Sequence, residues 1–178
     1  MGKKYRIGYT TGVFDMFHVG HLAILKRAKE QCRYLIVGVS SDELVEEYKR
    51  KIPIIGLEDR MRIISSVRYV DEVVVQENMD KVEAWEKLHY DVLFHGDDWK
   101  DSKMYNNVEW QLKERGVEVI YLPHTPGIST TIITEVVRSK EEMNPEIESR
   151  EGIENRKTGG GYCLISFCNQ ESSFMGVA

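Results

Sequence analysis

Near its start the chain reads Tyr9-Thr10-Thr11-Gly12-Val13-Phe14-Asp15-Met16-Phe17-His18-Val19-Gly20-His21. This stretch follows a short apolar run, Tyr5 to Tyr9, and leads into an amphipathic pattern formed by Leu22, Ile24, Leu25 and Ala28. The spacing of that pattern predicts a helix, so the stretch connects a strand to a helix, with a tight turn at Thr10 to Gly12. A helix N-terminus offers unpaired N–H groups and a positive dipole end to anions. Two imidazoles beside it, His18 and His21, predict a site for phosphate chemistry.

Strands and helices alternate along the rest of the chain. Further strand-like runs occur at Tyr34 to Val39, Glu72 to Val75, Val92 to His95 and Val117 to Leu122. Helical patterns lie between them, beginning at Asp42 and covering Leu57 to Val67, Lys81 to Leu88 and Val108 to Arg115. Such alternation predicts an α/β fold with a Rossmann-like, doubly wound parallel sheet, which binds ligands at the carboxyl ends of its strands.

The composition predicts one domain followed by a tail. A chain of 178 residues with 42% hydrophobic and 30% charged residues is long enough for one well-buried core. We place this domain at residues 1–138. Residues 139–178 are mostly charged at first and then contain Gly159-Gly160-Gly161, which is typical of a linker. The apolar segment Tyr162 to Phe167 near the end of this tail has no assigned role.

Charge and cysteine content exclude several classes of protein. A formal net charge of −5 argues against a nucleic-acid partner. The sequence has neither a signal-like start nor an apolar run long enough to span a bilayer, so we expect a cytoplasmic protein without a membrane span. Its three cysteines, Cys32, Cys163 and Cys168, have no zinc-like spacing and predict buried or idle thiols.

Two later loops are predicted to meet the histidine pair, because each follows a strand of the same parallel sheet. Gly96-Asp97-Asp98-Trp99 offers two carboxylates, which either hold Mg²⁺ or recognise a base, with Trp99 packed beside the site. Ser129-Thr130-Thr131 predicts a helix N-cap and is equally a cradle for phosphates.

Charged residues elsewhere have two interpretations each. Lys49 and Lys51 lie in a basic cluster, Tyr48 to Pro53, which is either a solvated run or a mobile loop that reaches a phosphate. The spacing narrowly favours Lys49 for that role. Asp15 is a capping or turn residue for the following helix, or contacts the ligand directly, and these roles are compatible. Arg68 neutralises phosphate charge or pairs with a nearby carboxylate, Asp71 or Glu72.

From Tyr5 to about Arg138 these motifs resemble the glycerol-3-phosphate cytidylyltransferase family, part of the nucleotidyltransferase superfamily with the His-x-Gly-His signature. The glycine patterns of P-loop and dinucleotide-binding proteins are absent from the first loop. The resemblance implies Mg²⁺-dependent transfer of CMP from CTP to an alcohol phosphate, best glycerol 3-phosphate, with release of pyrophosphate. It also implies a homodimer.

The same resemblance implies roles for individual residues. His18 and His21 would stabilise the reacting phosphates, and Lys49 and Arg68 would neutralise their charge. The nucleotide would contact Thr10, Thr11, Gly12, Val13, Phe14, Asp15, Gly20, Gly96, Asp98, Trp99, His124, Thr125, Gly127, Ile128, Ser129 and Thr130.

Two departures from the family pattern leave the acceptor open. Val13 replaces a threonine, as choline- and ethanolamine-type relatives tolerate. His124 stands where the family has an arginine, so a permanent bidentate charge is replaced by a ring that is mostly neutral at pH 7. Phosphoethanolamine, phosphocholine or another alditol phosphate are alternative acceptors. An ATP-using adenylyltransferase and a non-catalytic nucleotide-binding scaffold are the alternative functions.

Overall fold

The computed structural model describes residues 2–100 and 103–143, except for the side chains of residues 99, 103–105 and 141–143. Met1–Lys140 forms one compact unit that contains the sheet. The predicted tail beyond residue 143, including Tyr162 to Phe167, Cys163 and Cys168, lies outside the described residues.

Strands and helices alternate as predicted. The strands are β1 (Tyr5–Gly12), β2 (Cys32–Ser40), β3 (Glu72–Gln76), β4 (Val92–Gly96) and β5 (Glu118–Leu122). The helices are α1 (Val19–Gln31), α2 (Asp42–Lys49), α3 (Leu57–Ser65), α4 (Lys81–Leu88), α5 (Lys103–Lys113) and α6 (Thr130–Met143), with a 3₁₀ turn at Asp97–Trp99.

The strands form one parallel sheet in the order β3-β2-β1-β4-β5. The order reverses between β1 and β4, which places the ligand crevice at the carboxyl ends of these strands. The predicted doubly wound fold is therefore confirmed. The predicted turn at Thr10 to Gly12 is wrong, because these residues extend β1 and pair with Val37, Gly38 and Val39 of β2.

Apolar residues fill both faces of the sheet. One face carries Leu25 and Ala28 of α1 and Ile64 of α3, all fully buried. The other face carries the sheet residues Tyr9 and Leu93 beneath α4 and α5. Burial of each such large side chain stabilises the fold by about 1.5–3 kcal/mol.

Cys32 confirms the expectation of a buried thiol. Its Sγ–H donates to the carbonyl of Ala28 over 3.3 Å, and burial raises the pKa of the thiol. Within the described residues, no helix has both the length and the apolar character needed to cross a membrane.

Candidate functional site

A pocket of about 230 Å³ opens at the carboxyl ends of β1, β2 and β4. Many predicted residues line it: Thr10, Thr11, Gly12, Val13, Phe14, His21, Lys49, Gly96, Asp98 and His124. The remaining wall consists of residues that the sequence did not single out: Ile24, Ser40, Tyr48, Gln76, Met79 and His95.

His18 caps helix α1. Its Nδ1 accepts a hydrogen bond from the backbone N–H of Gly20 over 3.1 Å, which in the neutral ring leaves Nε2 as the donor. A Cβ on Gly20 would lie 2.9 Å from this imidazole, closer than side chains pack. The glycine between the two histidines is therefore a steric requirement of the cap.

His21 stacks on His18, with ring centres 3.9 Å apart and an interplanar angle of 20°. Its Nδ1 is buried and has no hydrogen-bond partner among the described residues. Burial, followed by the proximity of His18, lowers the pKa of His21 to about 3, and burial also lowers the pKa of His18. Both rings are thus neutral at pH 7 and offer N–H donors rather than a charge until an anion binds.

Asp15 anchors two loops as a turn residue, and the N-cap of α1 is His18 instead, while the contact of Asp15 with the nucleotide stays a prediction. Its carboxylate accepts N–H bonds from Met16 (3.0 Å), Ile54 (2.9 Å) and Ile55 (2.9 Å). These bonds hold a strained turn in which Phe14 and Met16 take φ values of 56° and 48°. The carboxylate thereby ties the histidine loop to the loop that follows α2.

Arg60 is a positioning residue that the sequence did not reveal. Its side chain is fully buried and donates to the carbonyls of Val13 (2.6 Å), Ser40 (2.9 Å) and Ile55 (2.8 Å). The guanidinium also pairs with the carboxylate of Asp42. A single planar cation thus fixes the ends of β1 and β2 beside the pocket.

Lys49 ends helix α2 rather than lying in the predicted mobile loop. Its side chain lines the pocket, with Nζ 5.4 Å from the ring centre of Tyr48. Loss of hydration lowers the pKa of Lys49, against the opposing effect of Asp98. Lys51 is exposed and does not line the pocket. Lys49 is therefore the one of these two lysines that lines the pocket, and its role toward a phosphate stays a prediction.

Asp97, Asp98 and His124 form a cluster on the β4–β5 side of the pocket. Their ligand atoms lie within 4.8 Å of one another, and Nδ1 of His124 is 3.9 Å from the Asp97 carboxylate. Two carboxylate oxygens suit Mg²⁺, whereas imidazole is a better ligand for transition metals. Trp99 follows in the 3₁₀ turn, and its side chain is not among those described.

The loop before α6 lies beside the histidines. Ser129 caps α6, since its Oγ accepts the N–H of Ile132 over 3.2 Å and keeps its own proton for a ligand. Thr130 Oγ1 donates to the carbonyl of Asp15 over 3.1 Å. Gly127 turns the chain with a φ of +77°, and Ile128 packs near Gly20. Thr125 Oγ1 is buried without a hydrogen-bond partner among the described residues.

Arg68 does not join this site, which corrects the expectation that it neutralises phosphate charge. It precedes β3 and therefore lies at the amino edge of the sheet, opposite the pocket. The guanidinium donates to the hydroxyl of Tyr69 over 2.7 Å and lies over that ring, rather than pairing with Asp71 or Glu72. The sequence identified the motif that contains Arg68 but did not show at which edge of the sheet it lies.

Comparison with known proteins identifies the family. Residues 9–136 match the family model described as "Cytidylyltransferase-like". The chain belongs to the cytidylyltransferase-like family. The matched residues span β1 to α6 and hence every wall of the pocket.

Curated relatives and a solved structure support this family assignment. The chain is 38% identical over 135 residues to glycerol-3-phosphate cytidylyltransferase of Bacillus subtilis (strain 168), covering 72% of this chain and 94% of the relative. It is also 35% identical over 153 residues to ethanolamine-phosphate cytidylyltransferase of Dictyostelium discoideum. That alignment covers 82% of this chain and 42% of the relative. The lipopolysaccharide core biosynthesis protein of Thermoplasma volcanium GSS1 has a similar fold, with a TM-score of 0.58 and 26% identity over 68% of this chain and 97% of that one.

Proposed function

We propose that this cytidylyltransferase-like protein transfers CMP from CTP to an alcohol phosphate, best glycerol 3-phosphate, and releases CDP-glycerol and pyrophosphate. The observation that carries the proposal is the stacked, neutral His18–His21 pair at the N-terminus of α1, of which His21 lines the pocket together with Lys49. The similarity to glycerol-3-phosphate cytidylyltransferases supports the choice of nucleotide and acceptor.

In this reaction an oxygen of the acceptor phosphate attacks the α-phosphorus of CTP while the bond to the β-phosphate breaks in line. The acceptor needs no general base, because a phosphate monoester with a second pKa of about 6 is largely dianionic at pH 7. Catalysis then consists of positioning and charge stabilisation. The negative charge that develops on the leaving pyrophosphate is stabilised by Nε2–H of His18, by His21 and by the N-termini of α1 and α6.

Mg²⁺ is the proposed cofactor, with Asp97 and Asp98 as the carboxylates that fit it. When bound, the ion would neutralise charge on the triphosphate. The homodimer and the cytoplasmic location remain predictions. Sedimentation equilibrium tests the homodimer.

A pyrophosphate-release assay tests the proposal. CTP and ATP are each offered with glycerol 3-phosphate, phosphoethanolamine and phosphocholine, with and without Mg²⁺. We expect release with CTP and glycerol 3-phosphate in the presence of Mg²⁺. Turnover with ATP alone would replace the proposal with an adenylyltransferase, and nucleotide binding without turnover would support a scaffold.

A matched control uses the exposed His89, which ends α4 in the left-handed conformation that asparagine tolerates. His89→Asn is expected to retain turnover, whereas His18→Asn is expected to lose it. Equal turnover in these two variants would contradict the assignment of the pocket.

A further inference from the structure

Three exposed side chains, Asp97, Asp98 and His124, meet on the β4–β5 side of the pocket because of the register of the sheet. β4 and β5 pair with Gly96 opposite Leu122, so the segments that follow these strands leave the sheet side by side. Asp97 and Asp98 form the 3₁₀ turn after β4, and His124 follows the end of β5. Asp98 and His124 line the pocket itself.

The three side chains are close enough to share one ion. One ligand atom of each lies within 4.8 Å of the other two, and Nδ1 of His124 is 3.9 Å from Oδ1 of Asp97. Ligands that hold an ion at about 2.0–2.2 Å are at most about 4.4 Å apart. Small rotations of these exposed side chains therefore bring the ligand atoms to bonding distance of a single ion.

Neither carboxylate of this cluster is used by the fold. Asp97 and Asp98 accept no side-chain hydrogen bond within the part of the chain that the structure describes. Other aspartates accept backbone N–H groups and thereby complete turns and helix ends: Asp15, Asp42, Asp71, Asp80 and Asp91. The lone pairs of Asp97 and Asp98 are thus available to a cation.

Gly96 makes room for the carboxylate of Asp98. A Cβ on Gly96 would lie 2.5 Å from Oδ1 of Asp98, closer than side chains pack. The backbone of Gly96 has φ −69° and ψ 149°, which any residue adopts. The glycine is therefore needed for the position of the carboxylate and not for the turn.

A buried hydroxyl next to the cluster also indicates a ligand. Oγ1 of Thr125, the residue after His124, is buried and has no hydrogen-bond partner among the described residues. Buried polar atoms without a partner are rare in folded proteins, and a bound group commonly supplies the missing contact. This observation is independent of the carboxylates and lies at the same end of the pocket.

His124 determines which cation fits the cluster best. Mg²⁺ takes oxygen ligands, whereas Mn²⁺, Co²⁺ and Zn²⁺ also bind an imidazole nitrogen, generally with higher affinity. The arginine of the family pattern at this position stays protonated and has no lone pair for a metal. A nitrogen ligand at this place is therefore a property of this chain and not of the pattern that it resembles.

We propose that Asp97, Asp98 and His124 bind a divalent transition ion such as Co²⁺ or Mn²⁺, and that His124 makes the site prefer this ion to Mg²⁺. Mg²⁺ uses the two carboxylates alone and therefore binds the same place more weakly. Resting on the proposed function, the ion gives the triphosphate of CTP the positive charge that the arginine of the family pattern carries.

Calorimetric titration of the native protein with CoCl₂ tests the site at neutral pH, without nucleotide and without a polyhistidine tag. We expect one Co²⁺ per chain, bound at least about tenfold more tightly than Mg²⁺, whose affinity is measured by competition. No Co²⁺ binding, or equal affinities for the two ions, would overturn the proposal.

His124→Gln removes the nitrogen ligand. The affinity for Co²⁺ is expected to fall at least about tenfold, while the affinity for Mg²⁺ stays within about twofold of the native value. His89→Asn, at an exposed position outside the pocket, is the matched control and is expected to keep both affinities. A folded His124→Gln protein with native affinity for Co²⁺ would overturn the proposal.

Two further variants act on the carboxylate. Asp98→Asn removes its charge, and Gly96→Ala displaces it by the close contact described above. Both variants are expected to lower the affinities for Co²⁺ and Mg²⁺ alike, because both ions use this ligand. Native affinities in both variants would overturn the site.

Metal affinity and turnover separate this proposal from the proposed function. CTP turnover by a native protein that binds no Co²⁺ would overturn the metal site and leave the proposed function intact. The expected Co²⁺ binding, without CTP turnover for any alcohol phosphate with either ion, would overturn the proposed function and leave the metal site. If His124→Gln fails to fold, the native comparison of Co²⁺ with Mg²⁺ decides the proposal.

Discussion

The two edges of the sheet use similar polar residues in different ways. At the amino edge, Asp91 accepts the N–H groups of Arg6 (3.0 Å) and Ile7 (2.8 Å), and Lys4 pairs with Glu118 at 2.9 Å. At the carboxyl edge, the buried Nδ1 of His21 and the buried Oγ1 of Thr125 have no hydrogen-bond partner among the described residues. Asp91 and Glu118 are thus satisfied within the fold, whereas His21 and Thr125 beside the pocket keep polar atoms for a ligand.

The histidine pair gives the largest expected difference between the edges. His18→Ala and His21→Ala are each expected to lower kcat by about 100-fold or more, because each removes a preorganised donor to the reacting phosphates. Loss of the helix cap in His18→Ala costs about 1 kcal/mol of stability. Steady-state kinetics and urea unfolding measure the two effects.

Arg68→Ala provides the amino-edge control for this experiment, since Arg68 lies opposite the pocket. The kcat of the Arg68→Ala variant is expected to stay within about twofold of the native value. If Arg68→Ala lowered kcat as much as the histidine variants do, the proposed difference between the two edges would be wrong.

Lys49→Ala is expected to lower kcat/KM by about tenfold or more, because the pocket loses a cation that can meet a phosphate. Lys51→Ala, two residues further along, is expected to change it by about twofold at most, since that side chain is solvated. Pyrophosphate release at several CTP concentrations separates kcat from KM. A stronger effect at Lys51 would reverse the choice between these two lysines.

Asp91→Ala is expected to have the opposite effect to the pocket variants, because it lowers stability and leaves turnover unchanged. Loss of the acceptor for two backbone N–H groups is expected to reduce the free energy of unfolding by roughly 2 kcal/mol. The kcat of the folded variant is expected to match the native value. A variant with native stability and impaired turnover would show that the amino edge takes part in the reaction.

The stability of the protein is expected to fall as the pH falls from about 6.5 toward 4. Burial lowers the pKa of His21 to about 3 and that of His95 to about 4, so the unfolded chain binds more protons over this range. At pH 5 each histidine costs about 2 kcal/mol relative to neutral pH. His21→Gln is expected to flatten this dependence in urea unfolding, and an unchanged slope would contradict the burial of His21.

The smallest expected effect concerns the exposed His124. Arginine offers a permanent, bidentate charge to a phosphate, so His124→Arg is expected to bind CTP up to about fivefold more tightly at pH 8. Isothermal titration measures both affinities, and equal values would remove His124 from the nucleotide contacts.

Most of the fold was predictable because local signals agreed with the topology. The helical pattern from Lys81 to Leu88 predicted the observed bounds of α4, Lys81–Leu88, and the alternation of strands and helices predicted the parallel sheet. The end of β1 was missed, because Thr10 to Gly12 contain a turn-forming glycine and yet pair with β2. Pairing between distant strands overrode the local preference.

The site was predictable where a motif joins a strand end to a helix start, as at His18 and His21. The role of Arg60 was not predictable, because a charged residue on a short helix is ordinarily solvated, and only packing reveals its burial. Arg68 was misplaced for a related reason, since a residue between a helix and a strand approaches the amino edge rather than the ligand edge.

The Asp15 carboxylate also has a thermodynamic consequence. It bonds Met16 on one side and Ile54 and Ile55 on the other, so the two loops order together. A nucleotide that orders the first loop lowers the entropy still to be lost when the second loop closes on an acceptor. We expect the two substrates to bind with positive cooperativity, and linkage requires each to raise the affinity of the other by the same factor.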